Sequence, residues 1–459
     1  MIRSFADLLR WDGTVGRGPY ALVGVIGFAI KHNIDRWIAF GVFHRNWGVF
    51  NYVIPLDRAL QPHMLSREDQ VFLATMVAMA LPFIWVGLAM TLRRLRSIGL
   101  PAWFVIFFFA PVANLAFFLL LAILPERRDT APEGAPTWLQ RFIPDHPAGS
   151  AAMAVFITTL VGLAVTGLSV SAFTRYGWGL FVALPFGVGF LSVLLLGCHR
   201  PRTLSASLGV ALIAVLLLGV ALLALAFEGV ICLAMAAPLG IALALLGGGV
   251  AYCIQRRPTD DRRTTTMFLG VLLGLPGIVG VEQVTDPAAP LFAVKTAVEI
   301  AAPPETVWHH VVSFSRLPEP TEWLFRAGIA YPIYATIDGT GVGAQRHCVF
   351  STGEFVEPIE IWDAPRHLKF SVTNTPPPMR EWTPYQHLHP PHLENFLVSE
   401  GGQFRLEPLP GGRTRLEGTT WYRHNMWPAS YWRWWSDFII HRIHLRVLKH
   451  IDRLSLEKS

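Results

Sequence analysis

Long apolar runs fill most of the first 285 residues, and strict apolar–polar alternation begins only after them. Five runs, 152–173, 177–197, 204–226, 229–253 and 265–283, approach or exceed the roughly 20 residues a helix needs to cross a bilayer. Two more precede them, Pro19–Phe43 and Gln70–Leu92, together with an apolar stretch, Ala102–Leu124, that Pro111 interrupts. The five-run block is rich in Gly, Ala, Ser and Leu, which favours close helix packing in lipid. Gly247-Gly248-Gly249 belongs to that packing, because no phosphate-binding or dinucleotide motif surrounds it. At Ala293 the period changes. Val294, Thr296, Val298 and Ile300 share one face of a half-buried strand.

The alternating region predicts a water-soluble domain over 291–459. Pro303-Pro304 ends the first strand, and Glu305 opens a helix to Val312, where a carboxylate suits the N-terminal dipole. A second helix is expected over Pro320–Ala327. Gly343–Ser351 and Glu354–Trp362 read as strands joined at Thr352-Gly353, followed by a strand over His367–Asn374. Phe396–Glu400 and Gln403–Pro408 read as a hairpin around Gly401-Gly402, Arg413–His424 as the last strand, and Trp427–Leu456 as a long helix.

The order of strand, two helices, six strands and terminal helix, with the opening Ala-Pro-Pro-Glu-x-Val-Trp, resembles the SRPBCC superfamily (START, Bet v 1 and polyketide-cyclase-like proteins). That resemblance implies a curved antiparallel sheet around the terminal helix, enclosing a cavity for hydrophobic ligands. Near the N-terminus, Gly16-Arg17 precedes an aromatic-led span, and Arg93-Arg94-Leu95-Arg96-Ser97-Ile98-Gly99 precedes Ala102-Trp103. With Pro111, Asn114 and Leu124-Pro125 these features resemble the bacterial inner-membrane family called domain of unknown function 805, which implies an integral membrane protein and no particular activity. The expected fold class is therefore a multi-span α-helical membrane protein with a C-terminal α+β helix-grip domain. Its expected parts are a membrane block over 1–126, a linker over 127–151, a five-span block over 152–284 and the SRPBCC-like domain.

Composition agrees with this layout: of 459 residues 52% are hydrophobic and only 15% charged, so a single soluble core is excluded. Met1–Gly18 is polar and charged, so the first span is expected to act as its own insertion signal. The net charge of +6 sits in arginine-rich loops beside the spans. No basic run interleaves with aromatics, so nucleic acid is not an expected partner. Arginine bias also decides the topology. If Ala102–Leu124 is a re-entrant hairpin turning at Pro111, the clusters at Arg93–Arg96, Arg200–Arg202 and Arg256–Arg263 all lie inside. Seven crossings then put the C-terminal domain outside the cytoplasm; a full crossing reverses this. Cys198, Cys232 and Cys253 fall in or beside spans and Cys348 stands alone, so no disulfide framework is expected.

Strand parity names the candidate site. Phe355, Glu357, Ile359 and Ile361 share one face, and Arg346, Cys348 and Phe350 share another. A turn at Thr352-Gly353 pairs Phe350 with Phe355 and Cys348 with Glu357, leaving Arg346 diagonal to Glu357. Arginine and carboxylate on an apolar face should pair, either to fix the sheet or to anchor a ligand head group or water. Tyr422, in register with Leu416 and Thr420, adds a hydroxyl. The expected ligand is a hydrophobic small molecule or lipid. An alternative is a cyclase or hydrolase using Glu357 or a neighbouring histidine as general base. A third reading is a sensory or scaffold protein docking a partner through Trp434 and Trp435. Within the membrane region, Asp35 with Lys31 at i, i+4 either neutralise each other or mark a polar pathway. Glu228 is either an interfacial loop carboxylate or a functional acid. Thr375–Leu393 is a proline-rich loop expected to act as a lid. Its His387, His389 and His392 lack further ligands at suitable spacing, so no metal or other cofactor is expected.

Overall fold

In the computed structural model, residues 6–52, 67–109, 113–126, 138–172, 176–256, 261–285, 289–383, 393 and 396–457 are described. The chain divides into two compact units. One comprises Met1–Leu168, Val182–Glu228 and Ala237–Ile278; the other comprises Ser169–Phe181, Gly229–Ala236 and Val279–Ser459. The C-terminal unit thus begins earlier than the alternating pattern and includes two short segments from the apolar region.

The first unit is helical: α1 (Arg17–Phe43), α2 (Arg67–Ile98), α3 (Ala113–Ile123), α4 (Pro147–Gly167), α5 (Leu184–Leu196), α6 (Leu204–Ala224), and most of α7 (Val230–Gln255) and α8 (Asp261–Thr285). Among the described residues, six helices are long and apolar enough to cross a membrane. These are Arg67–Ile98, Pro147–Val170, Gly179–Leu196, Leu204–Ala224, Val230–Gln255 and Thr265–Glu282. α1 is not one of the six, although it spans 27 residues, because Lys31, His32, Asn33, Asp35 and Arg36 interrupt it. Ala102–Phe109 is a 3-10 helix and α3 has 11 residues, so neither segment reaches across about 30 Å of hydrocarbon alone. Pro111, the expected turning point, lies outside the described residues. α5 and α7 approach closely at glycines: a Cβ on Gly189 would collide with the carbonyl oxygen of Ala244, and one on Gly247 with that of Phe186. Small residues let backbones meet there, which supplies the dispersion contact that lipid cannot.

The arginine cluster at the end of α2 does more than face head groups. Arg94 is fully buried. Its Nε donates to the Leu121 carbonyl at 2.9 Å, Nη1 to Val15 O at 3.2 Å and Ser97 Oγ at 3.0 Å, and Nη2 to Leu124 O. One guanidinium therefore satisfies the C-terminal carbonyls that α3 leaves without intrahelical donors.

The second unit contains a seven-stranded antiparallel sheet in the order β1-β7-β6-β5-β4-β3-β2. Its strands are β1 (Leu291–Ile300), β2 (Pro332–Asp338), β3 (Gln345–Phe350), β4 (Gly353–Asp363), β5 (His367–Ser371), β6 (Leu397–Leu409) and β7 (Arg413–His424). Helices α9 (Pro304–Val312) and α10 (Trp323–Arg326) follow β1, and α11 (Ala429–Leu456) closes the unit. α9 buries Val307, Trp308 and Val311, one face of a short helix, with the Trp308 ring against Trp362 at 5.7 Å. The main core joins these residues to Ile300, Leu368, Leu406, Leu416, Leu448 and Ile451.

Three strand expectations change. β2 replaces a segment with no expected strand; it lies at the sheet edge with Pro332 as its first residue, where a missing N–H is tolerated. β6 runs unbroken through Gly401-Gly402, so there is no hairpin there. The glycines are needed because a Cβ on Gly401 would lie 2.7 Å from the Phe370 carbonyl oxygen, and one on Gly402 2.7 Å from the Phe370 ring. A bulge between Ile359 and Ile361 turns Ile361 outward and Trp362 toward the core.

Candidate functional site

β3, β4, β6, β7 and α11 enclose a cavity of about 160 Å³. α11 contributes Ile439, Ile443 and Val447 at helical spacing, and Thr375–Pro378 forms another part of the wall. Arg346, Cys348, Phe350, Phe355, Glu357 and Tyr422 all line this space. Ile359 does not: it is buried in the core beneath.

The register is two residues from the expected one. Arg346 lies directly opposite Glu357, Cys348 opposite Phe355 and Phe350 opposite Gly353, so the turn is Ser351-Thr352. A shift of two preserves which side chains face inward. It also brings Arg346 Nη1 onto Glu357 Oε2, while Nε donates to the Val312 carbonyl at 3.2 Å. The guanidinium lies 5.6 Å from the ring centres of Phe314 and Phe370 and 5.7 Å from that of Phe404. These three aromatics escaped the parity argument, since they come from separate elements. Their rings stabilise a cation cut off from water.

Burial pushes the Glu357 carboxyl above its usual range, and Arg346 pulls against it. Burial also works against the Arg346 cation, but Glu357 and Cys348 more than offset it. The Cys348 thiol is pushed up to about 12, first by burial and then by Glu357, which makes it an unreactive wall group. Tyr422 is buried and donates to Asp437 Oδ1 at 2.6 Å; burial first, then that carboxylate, raises its pKa. Glu357 is thus held in an ion pair with Arg346.

His444 lines the cavity, and its Nε2 lies 2.8 Å from Thr420 Oγ1. Burial, then neighbouring His441, lowers its pKa from 6.5 to about 4. The neutral imidazole is favoured in the folded protein, so its contribution to stability is complete above pH 6.5. It is lost as pH falls from 6.5 toward 4, by about 3 kcal/mol. Burial gives His424 and His450 lowered values too, with the same sign. We expect the thermal midpoint of the C-terminal unit, followed in detergent, to fall across that window, and His444→Gln to flatten the fall. An unchanged pH profile in His444→Gln would refute the assignment.

The other candidates fall elsewhere. Asp35 is buried in α1, pairs with Lys31 and accepts from the Tyr52 hydroxyl at 2.7 Å. Lys31 also stacks over the Tyr52 ring at 4.9 Å. Glu228 is buried in the turn between α6 and α7. Trp432 packs inward against Phe181, whereas Trp434 is 62% exposed. His387, His389 and His392 lie outside the described residues, as does most of the expected lid; among the described residues no cluster of metal-ligating side chains occurs.

Apolar membrane-length helices and a sheet wrapped on a terminal helix define the class: a membrane protein carrying a domain with the helix-grip fold. Within it, residues 8–132 match the family described as "Protein of unknown function (DUF805)". No curated protein matches the chain. Among solved structures, a norcoclaurine synthase point mutant from Thalictrum flavum is 14% identical, with a TM-score of 0.26, over 38% of this chain and 99% of its own. The Zhui aromatase/cyclase from Streptomyces sp. R1128 is 14% identical, with a TM-score of 0.25, over 37% of this chain and 96% of its own. XoxI from Bacillus cereus is 16% identical, with a TM-score of 0.24, over 36% and 96%. At these scores the likenesses carry no weight; the fold rests on the observed strand order.

Proposed function

We propose that this protein is a membrane-tethered binding module for a hydrophobic or lipid-like ligand held in the helix-grip cavity. One observation carries this reading: a cavity of about 160 Å³ walled by aromatic and aliphatic side chains, with the Arg346–Glu357 pair among few polar groups. Apolar walls with a small polar set are the usual chemistry of such sites. That volume is close to the roughly 150 Å³ that holds one benzene-sized ring, so it suits a small apolar ligand or the end of an amphiphile's chain, with the polar groups orienting the head. With α1 counted as a seventh crossing, the distribution of arginines supports a bacterial inner-membrane location with the C-terminal domain outside the cytoplasm.

The test is extraction of co-purifying lipids from the full chain in detergent, followed by mass spectrometry. Wild type is expected to retain a single-chain amphiphile. Ser399, which lines the cavity, offers a filling substitution: Ser399→Phe should lose most of that lipid while melting normally. Equal lipid content in both proteins would refute the reading.

A further inference from the structure

The wall built by β1, β7 and α11 carries a polar chain that ligand retention does not require. Thr420 and His444 both line the cavity, with Thr420 Oγ1 2.8 Å from His444 Nε2. Behind them, His444 Nδ1 lies 3.1 Å from Thr296 Oγ1, which lies 2.8 Å from His441 Nδ1. The fold places these groups for simple reasons. Val294 pairs with Thr420, so Thr296 and Thr420 share the inner face of β1 and β7. His441 and His444 are three residues apart on one face of α11. Thr296 is buried and His441 is exposed, so the chain runs from the cavity to the outside of the unit.

Two sets of proton positions satisfy every contact, each the reverse of the other, and in one of them the Thr420 hydroxyl is the donor. In that set the Thr420 hydroxyl donates to Nε2 of His444, the Nδ1–H of His444 donates to Thr296, and the Thr296 hydroxyl donates to Nδ1 of His441. A hydroxyl, a base accepting its proton, and a third group fixing the base's tautomer make up the arrangement that activates an alcohol nucleophile. We infer that Thr420 is an acyl-accepting nucleophile and His444 its general base, acting on an ester of an apolar acid bound in the cavity. This rests on the cavity taking an apolar ligand, as proposed above.

In the first step Thr420 Oγ1 bonds to the ester carbonyl carbon and its proton passes to His444 Nε2. The ester C–O bond then breaks, and the leaving alkoxide takes that proton and departs as an alcohol. In the second step water attacks the acyl-threonine, giving its proton to His444. The bond between the acyl carbon and Thr420 Oγ1 breaks, Oγ1 recovers the proton from His444, and the acid leaves. Thr296 is a positioning residue, acting only through the tautomer of His444.

The full chain in detergent would be given p-nitrophenyl esters of fatty acids, with the matching nonhydrolysable ethers as binding probes. Wild type should bind the ether and release p-nitrophenolate, and intact-mass and peptide mapping should find acyl on Thr420. Thr420→Val should bind the ether as wild type does yet release p-nitrophenolate about 100-fold more slowly, as should His444→Gln. Thr420→Ser should retain turnover. Thr296→Val should lower kcat with KM unchanged, and Thr296→Ser should restore it. Ether binding with no Thr420 adduct, or with Thr420→Val as fast as wild type, overturns the inference and leaves the binding reading standing. Failure of wild type to bind any ether removes both.

Discussion

Replacing Glu357 by Gln is expected to destabilise the C-terminal unit by about 3–5 kcal/mol, because it leaves Arg346 as a buried cation without a counter-charge. The cost comes from the partner left behind. Arg346 is almost wholly buried, and the neutral amide accepts a hydrogen bond but cannot balance the charge. Removing both members should therefore cost much less. Arg346→Met with Glu357→Leu replaces the pair by apolar side chains of similar length, and is expected to melt within about 1–2 kcal/mol of wild type. Thermal or urea unfolding of the full chain in detergent, followed by tryptophan fluorescence, would measure both. If the double variant loses as much as the single one, the pair is not the source of the penalty. The double variant also asks what the pair does for a ligand. Normal stability with lost lipid would mark Arg346 and Glu357 as head-group anchors.

Arg94→Ala should be comparably damaging to the membrane unit, by about 3–5 kcal/mol. It removes the side-chain donors to the carbonyls of Leu121 and Leu124 in a buried setting, and one of the two to Val15, which keeps Ser97 Oγ. Arg94→Lys keeps the charge, but a single ammonium cannot reproduce a fork that reaches three carbonyls and Ser97. It should recover only part of the loss. Thermal aggregation of detergent-solubilised protein would rank wild type, Lys and Ala in that order; a lysine variant equal to wild type would show that charge alone suffices. The same residue is part of the Arg93–Arg96 run that positions as a head-group anchor by sequence. Its burial shows a structural duty that a count of positive charges does not contain.

Much of the inner face was legible because strand parity tolerates an error of two. The Arg346, Cys348 and Phe350 set and the Phe355 and Glu357 set face inward under either register, so misplacing the turn by one residue on each strand left the site intact. A slip of one would have reversed every assignment. The bulge at Glu360 is such a slip, confined to one end of β4, and it is why Ile361 left the inner face. Gly401-Gly402 misled for a related reason. Glycine serves a tight turn and a close backbone approach equally well, and only the position of Phe370 distinguishes them.

From its residues alone, this chain has a part apolar enough for a membrane and an alternating, strand-forming part, because hydrophobic run length and alternation are local properties that solvent and lipid read directly. The inward-facing residues of β3 and β4 follow from the same periodicity. Tertiary structure alone decided that Arg346 sits among Phe314, Phe370 and Phe404, and that Arg94 serves the end of another helix. It also joined Thr420, His444, Thr296 and His441 across two strands and a helix. Those groupings unite positions as much as 148 residues apart. No periodic pattern spans such a gap; only the packing of one element on another brings the side chains within hydrogen-bond reach.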